Sequence, residues 1–227
     1  ENDIVTSFYP KSYIPTNESD IDLFKNDFKY KKNKNFIIKK NIQQQKGILL
    51  SNDYNVIFTS MKSNKYDIIK ELLPNPLLVN GRKINLRVYL LIVCRNMKKN
   101  FYIHENGFIY YTRKLYNEKI LDFDHHITTG YIERQVYEEN PLTHKDLYKW
   151  LDSNGFISET LKINIQSLMR HICQAIKPHV CNMKNLNGGV SFQLFGCDVA
   201  PDSNLECKLI EINKGPDMGF KDDRDGN

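Results

Sequence analysis

The chain has 227 residues, of which 41% are hydrophobic and 26% are charged, and its formal net charge is +5. This composition is typical of a globular protein and excludes wholesale disorder. No apolar run approaches the ~18 residues that a membrane-spanning helix needs, and the N-terminus shows no signal peptide, so we expect no membrane partner. Because the sequence begins without Met and ends in a polar stretch, we expect a fragment of a longer protein.

The first half of the chain predicts short helices and strands. Ser19–Phe28 is a predicted helix with a serine cap and apolar residues on one face. Asn35–Lys40 is rich in residues that favour β-structure, and Asn55–Ser60 is a predicted strand. Residues 65–73 have helical spacing, but two prolines follow at once, so this segment is ambiguous.

Lys83–Cys94 is the clearest strand of the sequence. One of its faces is apolar, and the opposite face carries, in order, Lys83, Asn85, Arg87 and Tyr89. That polar side is either exposed to solvent or lines a cleft. Further on, Asn106-Gly107 predicts a hairpin turn between two antiparallel strands.

The second half predicts two helices and two closing strands. Thr143–Leu151 begins with a T-x-x-D capping signal, and Ser158–Lys177 has a continuous apolar stripe that ends at a proline. Val190–Val199 and Glu206–Lys214 are the strands. The fold class is therefore α+β with a largely antiparallel sheet.

Charge is distributed unevenly along the chain. Residues 25–46 contain eight lysines and one acid, whereas residues 198–227 contain eight acids and four bases. These segments indicate two sites with different ionic partners, a polyanion and a metal, although many of the lysines could simply form a solvated face. Only seven residues are arginine, which nucleic-acid readout favours over lysine, so nucleic acid is not the partner that we expect.

Five cysteines, at positions 94, 173, 181, 197 and 207, form no C-x-x-C pair. Their number and spacing argue against a zinc ribbon and against a disulfide framework. We therefore expect reduced thiols and a cytoplasmic protein.

The last two strands would bring three oxygen ligands together. Residues two apart in a strand share a face, so Glu211 and Asn213 point one way while Ile210 and Ile212 face the core. Asp198 ends the preceding strand and would lie beside the first two. Two carboxylates and an amide oxygen suit Mg²⁺, and the alternative is a solvated edge strand with scattered acids.

A second candidate site is basic. Lys39 ends a short strand, and Lys46-Gly47 lies in the polar loop that follows, an arrangement that suits a phosphate group. No P-loop or kinase motif accompanies it. The adjacent His125 and His126 cannot easily chelate one ion, so we expect a hydrogen-bonding role for one of them.

Six motifs follow one another in the chain: FYPKSY, FIIKKNIQQQKGI, NPLLVNGRKINLRVYLLI, HITTGYI, FQLFGCDV and LIEINKGPDMG. Together they resemble the tubulin–tyrosine ligase-like family of ATP-grasp enzymes, from about Phe8 to Gly219. The resemblance implies an ATP-grasp fold, with two α+β lobes around the nucleotide. Residues 1–69 would form part of the central lobe and residues 70–227 the C-terminal lobe, while the N-terminal domain of the family would be missing.

The resemblance also implies roles for individual residues. The magnesium ligands would be Asp198, Glu211 and Asn213. Arg87 would act near the reacting acyl phosphate, and Lys39 would be the second catalytic residue. The nucleotide would contact Lys39, Lys46, Gly47, Lys70, Glu71, Leu72, Leu73, Lys83, Asn85, His126, Ile127, Thr128 and Ile210, with residues 70–73 as an extended hinge that receives adenine.

The implied activity is the ATP- and Mg²⁺-dependent ligation of tyrosine, glutamate or glycine to a protein carboxylate through an acyl phosphate. The implied partners are a free amino acid and an acidic protein tail such as that of tubulin, and the enzyme would act as a monomer. The chain departs from the family pattern at Asn85, Tyr110 and Thr129. These departures leave the added amino acid open, and they motivate the alternative of an inactive member that binds nucleotide or an acidic tail.

Overall fold

The computed structural model describes residues 8–30, 34–40, 47–96, 98–181 and 189–218. The chain divides into two compact units: a first unit, Glu1–Pro74 with Asn117–His126, and a second unit, Asn75–Tyr116 with Ile127–Asn227. Each contains an antiparallel sheet and helices, so the predicted α+β class is confirmed.

The first unit is built on a four-stranded antiparallel sheet in the order β1-β4-β2-β3. The strands are β1 (Ser12–Tyr13), β2 (Phe36–Lys39), β3 (Ile48–Ser51) and β4 (Ile68–Glu71). The helices are α1 (Glu18–Tyr30), α2 (Tyr54–Lys62) and the short α3 (Phe123–His126). β4 pairs with both β1 and β2, so it belongs to the sheet of the first unit.

Aromatic and aliphatic side chains fill the core of the first unit. Its buried members are Tyr13, Phe24, Phe36, Ile38, Ile57, Met61 and Ile69. The strand predicted over Asn55–Ser60 is wrong, because these residues lie in α2. The Asp53 carboxylate caps that helix by accepting from the Val56 N–H at 2.9 Å, and Ile57 and Met61, four residues apart, pack into the core.

The second unit contains a seven-stranded antiparallel sheet. Its strands are β5 (Leu78–Val79), β6 (Arg82–Arg95), β7 (Lys98–Ile103), β8 (Ile109–Thr112), β9 (Thr128–Thr129), β10 (Val190–Pro201) and β11 (Cys207–Lys214). The main order is β11-β10-β6-β8-β9, and β5 and β7 also pair with β6. The long strand predicted over Lys83–Cys94 is therefore confirmed as the centre of this sheet.

Three α-helices complete the described part of the second unit: α4 (Arg134–Glu139), α5 (His144–Ser153) and α6 (Ser158–Ile176). Both predicted helices are confirmed. The capping box of α5 is present between Thr143 and Asp146, and α6 buries its apolar stripe. Among the residues that the structure describes, no helix is long and apolar enough to cross a membrane.

The hairpin predicted at Asn106-Gly107 is wrong, because the strands on either side of it both pair antiparallel with β6 and not with each other. β7 pairs with residues 90–95 of β6 and β8 with residues 84–86, so the two strands follow each other along one edge of β6. The turn between them returns to β6, where a β-carbon on Gly107 would lie 2.0 Å from the Arg87 carbonyl oxygen. Glycine is required there because its backbone packs closely against that of Arg87, and not because the residue forms a hairpin turn.

The cysteine prediction is also wrong in part, because Cys94 and Cys181 form a disulfide. Their Cα atoms lie 5.8 Å apart, within the range that a disulfide spans, although 87 residues separate them in sequence. Local spacing rules miss such a pair, since only the packing of distant segments brings the two thiols together. The other three cysteines are free.

His144, at the start of α5, is buried, and this burial lowers its pKa from 6.5 to about 4. The folded state therefore binds its proton less readily than the unfolded state does. We therefore expect the free energy of unfolding to be highest above pH 6.5 and to decrease as the pH falls towards 4, by about 3 kcal/mol at most.

Urea unfolding at several pH values tests this expectation. His144→Gln should flatten the loss of stability between pH 6.5 and 4 relative to the parent, whereas His179→Gln, at an exposed position, should not. Parallel pH profiles for the parent and His144→Gln would contradict the assignment.

Candidate functional site

Polar side chains from four neighbouring strands share one face of the second unit's sheet. The register pairs Arg87 with Asp198 and Asp198 with Glu211. It also pairs Asn85 with Tyr110. Directly paired residues lie on the same side of a sheet. This polar face consists of Lys83, Asn85, Arg87, Tyr110, Asp198, Glu211 and Asn213.

A buried ion pair lies at the centre of the polar face. Arg87 Nε donates to Asp198 Oδ1 at 2.7 Å, and Arg87 Nη2 approaches Asp198 Oδ2 at 3.4 Å. The Arg87 guanidinium also lies 5.0 Å from the centre of the Tyr110 ring. Burial disfavours the charge of Arg87, but Asp198 outweighs this effect, so the pKa of Arg87 is raised. The pair thus holds a permanent cation in a fixed orientation.

The two carboxylates and the amide converge as the strand pairing predicted. Asn213 Nδ2 donates to Glu211 Oε1 at 3.0 Å and approaches Asp198 Oδ2 at 3.4 Å. Burial raises the pKa of Asp198 to about 6; Arg87 opposes this shift and Glu211 adds to it. A divalent cation would stabilise the charged form of two carboxylates that share a partly desolvated space, so these side chains are suited to bind one.

This donor set fits Mg²⁺ better than a zinc-type ion. Among the described residues, no group of three His, Cys, Asp or Glu side chains could hold a metal. Mg²⁺ instead commonly takes one or two carboxylates and completes its shell with water and phosphate oxygens. Asn213 could offer its oxygen after its amide turns over, because the nitrogen now faces the carboxylates.

A β-bulge shapes the acidic end of the polar face, and the sequence did not reveal it. The register changes between Asp198, which pairs with Glu211, and Val199, which pairs with Leu209. Ile210 is the extra residue, so strict alternation cannot be carried across the bulge, and the core-facing orientation and the nucleotide contact expected for Ile210 remain predictions. Bulges re-aim neighbouring side chains and are common beside functional sites.

Gly196 makes room for the ion pair. A β-carbon at this position would lie 2.9 Å from Arg87 Cδ and 2.7 Å from Pro216 Cβ. We expect Gly196→Ala to displace Arg87 and to lower the free energy of unfolding by about 1–3 kcal/mol. Urea unfolding measures this effect, and an unchanged midpoint would contradict the close packing described here.

The long strand's polar side is not solvent-exposed, which excludes one of the two predicted alternatives. Lys83 is 6% exposed and Arg87 is 8% exposed. Asn85 Oδ1 is buried and has no hydrogen-bond partner among the described residues. A buried acceptor without a donor is costly, so this atom is suited to a ligand that brings a donor.

The departures at Tyr110 and Thr129 fall on opposite sides of the sheet. Tyr110 belongs to the polar face, where burial raises its pKa to about 12 and keeps it neutral. Thr129 pairs with Tyr111, which alternates with Tyr110 and therefore faces away. Thr129 Oγ1 accepts from the Tyr131 N–H at 3.0 Å. Thr128 pairs with Thr112, two residues from Tyr110, and therefore lies on the polar side, but its nucleotide contact remains a prediction.

In the first unit, Lys39 ends β2 and is half-buried. Gly47 begins the turn into β3 with φ +69°, and its carbonyl accepts from the Lys40 N–H at 3.2 Å. A β-carbon on Gly47 would lie 2.9 Å from the Lys40 side chain, so both the positive φ and the lack of space favour glycine here. Lys46 lies outside the described residues, and the phosphate roles of these residues remain predictions.

The first two residues of the expected hinge, Lys70–Leu73, lie in β4 and are extended, which excludes the helix that the spacing of residues 65–73 allowed for them. Two of its N–H groups are already engaged: Glu71 donates to the Lys11 carbonyl at 2.9 Å, and Leu72 donates to the Asn35 carbonyl at 2.8 Å. Any adenine contact from this segment would therefore use its carbonyl groups or its remaining N–H groups.

His126 ends α3 and is 2% exposed. Its Nε2 atom lies 3.1 Å from the Asn117 carbonyl oxygen, while His125 Nδ1 lies 2.6 Å from the Asp122 carboxylate. Both rings thus have hydrogen-bond partners of their own, in line with the expected hydrogen-bonding role. The nucleotide contacts predicted for His126 and Ile127 remain predictions.

Comparison with known proteins identifies the family to which this chain is similar. The pattern of the tubulin-tyrosine ligase family matches residues 2–226. A Homo sapiens protein named an inactive polyglycylase is 28% identical over 174 residues, which are 70% of this chain and 25% of that protein. A protein polyglycylase of Mus musculus is 26% identical over 66% of this chain and 22% of its own length.

A tubulin polyglutamylase of Caenorhabditis elegans is 24% identical over 203 residues, which are 81% of this chain and 27% of that protein. The chain therefore spans about a quarter of the length of these three relatives. The names of the relatives agree on amino-acid ligation and differ in the amino acid and in whether the protein is active.

Proposed function

The chain belongs to the tubulin-tyrosine ligase family, and on this basis we propose that it is an ATP-dependent ligase that joins an amino acid to a carboxylate of an acceptor protein. The observation that carries the proposal is the cluster on the polar face in which the buried pair of Arg87 and Asp198 lies beside Glu211 and Asn213. Relatives named as a polyglycylase and a tubulin polyglutamylase support a free amino acid and tubulin as the substrates.

Magnesium is the cation that we assign to this cluster. Asp198 and Glu211 would supply carboxylate oxygens and Asn213 its amide oxygen, while water and nucleotide phosphates would fill the remaining positions. When bound, the ion would neutralise charge on the phosphates during transfer. The pKa of about 6 at Asp198 supports the assignment, because a buried carboxylate beside a second one gains from a nearby divalent cation.

The other residues of the polar face would position the reacting groups. Lys83 would hold a phosphate group as a point charge, and Asn85 Oδ1 would accept a donor from the substrates. Arg87 is oriented by Asp198, so it would offer its remaining N–H groups to the oxygen of the reacting acyl group without reorganisation.

The proposed reaction has two steps. An oxygen of the acceptor carboxylate bonds to the γ-phosphorus of ATP as the bond to ADP breaks, which yields an acyl phosphate. The amine nitrogen of the amino acid then bonds to the acyl carbon, phosphate departs and the amine releases a proton. No covalent bond to the protein is needed, so catalysis rests on positioning and electrostatics.

A label-transfer screen tests the proposal. Tubulin is incubated with the protein, ATP, Mg²⁺ and labelled glycine, glutamate or tyrosine in separate reactions. We expect ATP-dependent label in tubulin from at least one of the three amino acids. The absence of label from all three, with a protein that still binds nucleotide, would contradict the ligase assignment.

A second candidate function is the binding of nucleotide or of an acidic tail without ligation. It predicts that no label enters tubulin from any of the three amino acids. The relative named an inactive polyglycylase and the departures at Asn85 and Tyr110 favour this candidate. Calorimetry of ATP with Mg²⁺ beside the label-transfer screen separates the two functions: binding with transfer supports the ligase, and binding without transfer supports the inactive member.

A further inference from the structure

Two long stretches of the chain contain no acidic residue, and the fold of the second unit brings them together. Residues 72–104 and residues 160–197 include neither aspartate nor glutamate. The first stretch contains β6 and β7, and the second contains most of β10. Because β6 pairs with both β7 and β10, the two stretches form three neighbouring strands of the sheet.

These three strands extend beyond the polar face and present a second set of side chains on the same side of the sheet. Paired residues share a side, and so do residues two apart in a strand, so Leu91 lies on the side of Arg87. We call the resulting nine residues the distal face, and its three rows are Leu194–Leu91–Tyr102, Phe192–Val93–Asn100 and Val190–Arg95–Lys98.

Apolar side chains are exposed on the distal face. Phe192 is 74% exposed, Tyr102 is 55% exposed and Val190 is 50% exposed. The three aliphatic residues between them are only partly buried. Exposed apolar residues that stand alone are common on protein surfaces, whereas a contiguous group of them marks a binding surface. The distal face is such a group, spread over three strands.

The charged residues of the distal face are both basic. Arg95 and Lys98 pair with each other in its last row, and both are exposed. Within the described part of the chain, no carboxylate pairs with either side chain. Lys99 does not contribute, because it alternates to the other side of β7 and donates to the Lys177 carbonyl at 2.8 Å. Positive charge beside an apolar group selects a partner that is both anionic and apolar.

This chemistry favours a lipid surface over a nucleic acid or an acidic polypeptide. Aliphatic side chains offer bases no ring to stack on and phosphates no hydrogen bond. A chain of carboxylates would leave the apolar residues against polar groups. An anionic bilayer instead offers headgroup charge to the bases and acyl chains to the apolar residues. Aromatic rings and long basic side chains are the residues that favour this boundary.

We propose that the distal face binds an anionic lipid surface. Phe192, Tyr102 and Val190 would enter the headgroup region, and Arg95 and Lys98 would pair with the charged lipid groups. Such binding needs no membrane-spanning helix, so it would replace our expectation of no membrane partner, which considered only spanning helices and signal peptides. The proposal does not depend on the ligase assignment.

Co-sedimentation with lipid vesicles at low salt tests the proposal. The vesicles contain phosphatidylcholine alone or phosphatidylcholine with about 30% phosphatidylserine. We expect the parent to bind the serine-lipid vesicles at least about tenfold more tightly than the neutral ones. Phe192→Ser with Tyr102→Ser, and separately Arg95→Glu with Lys98→Glu, should each weaken binding to the anionic vesicles by about tenfold or more.

Matched controls carry the same kinds of change away from the distal face. Ile157→Ser with Ile163→Ser removes two exposed apolar side chains at α6, and Lys145→Glu with Lys149→Glu reverses two exposed charges on α5. Each control should alter vesicle affinity by less than about twofold. Urea unfolding identifies a variant that does not fold, and Phe192→Ser alone then replaces the double aromatic variant.

Three results would overturn the proposal: no sedimentation of the parent with the anionic vesicles, an equal loss in the controls, or tighter binding of a ten-nucleotide single-stranded DNA or a decaglutamate peptide that depends on the distal face. Glu211→Gln is expected to bind the vesicles like the parent. Vesicle binding without any label transfer to tubulin would therefore contradict the proposed ligase function and leave the lipid site in place.

Discussion

Glu211→Gln is expected to lower the rate of ADP formation at least about 100-fold while leaving the fold intact. The change keeps the size of the side chain but removes one of the two carboxylates that converge on the polar face. Loss of a ligand charge from a metal site costs several kcal/mol of transition-state stabilisation, which is more than a 100-fold change requires. ADP release in the presence of tubulin, ATP, Mg²⁺ and the amino acid measures the effect.

Glu206→Gln is the matched control, because Glu206 is also an exposed glutamate and lies just before the same strand, outside the polar face. It should retain activity within about twofold of the parent. If Glu211→Gln kept a similar rate, the polar face would not hold the catalytic cation, and the magnesium assignment would fail.

Arg87→Met is expected to destabilise the second unit by about 3–5 kcal/mol. Arg87 and Asp198 are both largely buried, and their side chains are 10% and 13% exposed. Removing only the cation leaves a desolvated carboxylate without its partner, and such a change costs more than the intact pair contributes. Urea unfolding of the parent and the variant at pH 7 gives the difference.

A double variant separates the ion pair from simple packing. Arg87→Met with Asp198→Leu removes both charges and should be more stable than Arg87→Met alone, because no buried charge remains unpaired. Arg170→Met, at an exposed position of α6, should change stability by no more than about 0.5 kcal/mol. A double variant no more stable than the single one would show that Arg87 acts through packing.

Period-two alternation explains why so much of the polar face could be predicted from the sequence. The uninterrupted alternation around Arg87 identified a long strand, and the spacing of Glu211 and Asn213 indicated that these two side chains share a face. Antiparallel pairing then aligned Asp198 with Glu211. These features depend on local spacing and on one pairing between strands that follow each other in the chain.

Features that depend on distant packing were missed. The Cys94–Cys181 disulfide joins segments 87 residues apart, and the return of Gly107 to Arg87 depends on the course of the whole loop. The residues of α2 are β-rich in composition, yet the Asp53 cap and the core behind Ile57 favour a helix. Tertiary packing overrides local propensity when the alternatives differ by little.

Calorimetry of a non-hydrolysable ATP analogue, with and without Mg²⁺, tests most directly whether the polar face is the nucleotide–metal centre. The parent and Glu206→Gln should bind the analogue more tightly when Mg²⁺ is present, whereas Glu211→Gln should lose that dependence on the ion. An equal Mg²⁺ dependence in Glu211→Gln and the parent would contradict the account, because the cation would then be held elsewhere.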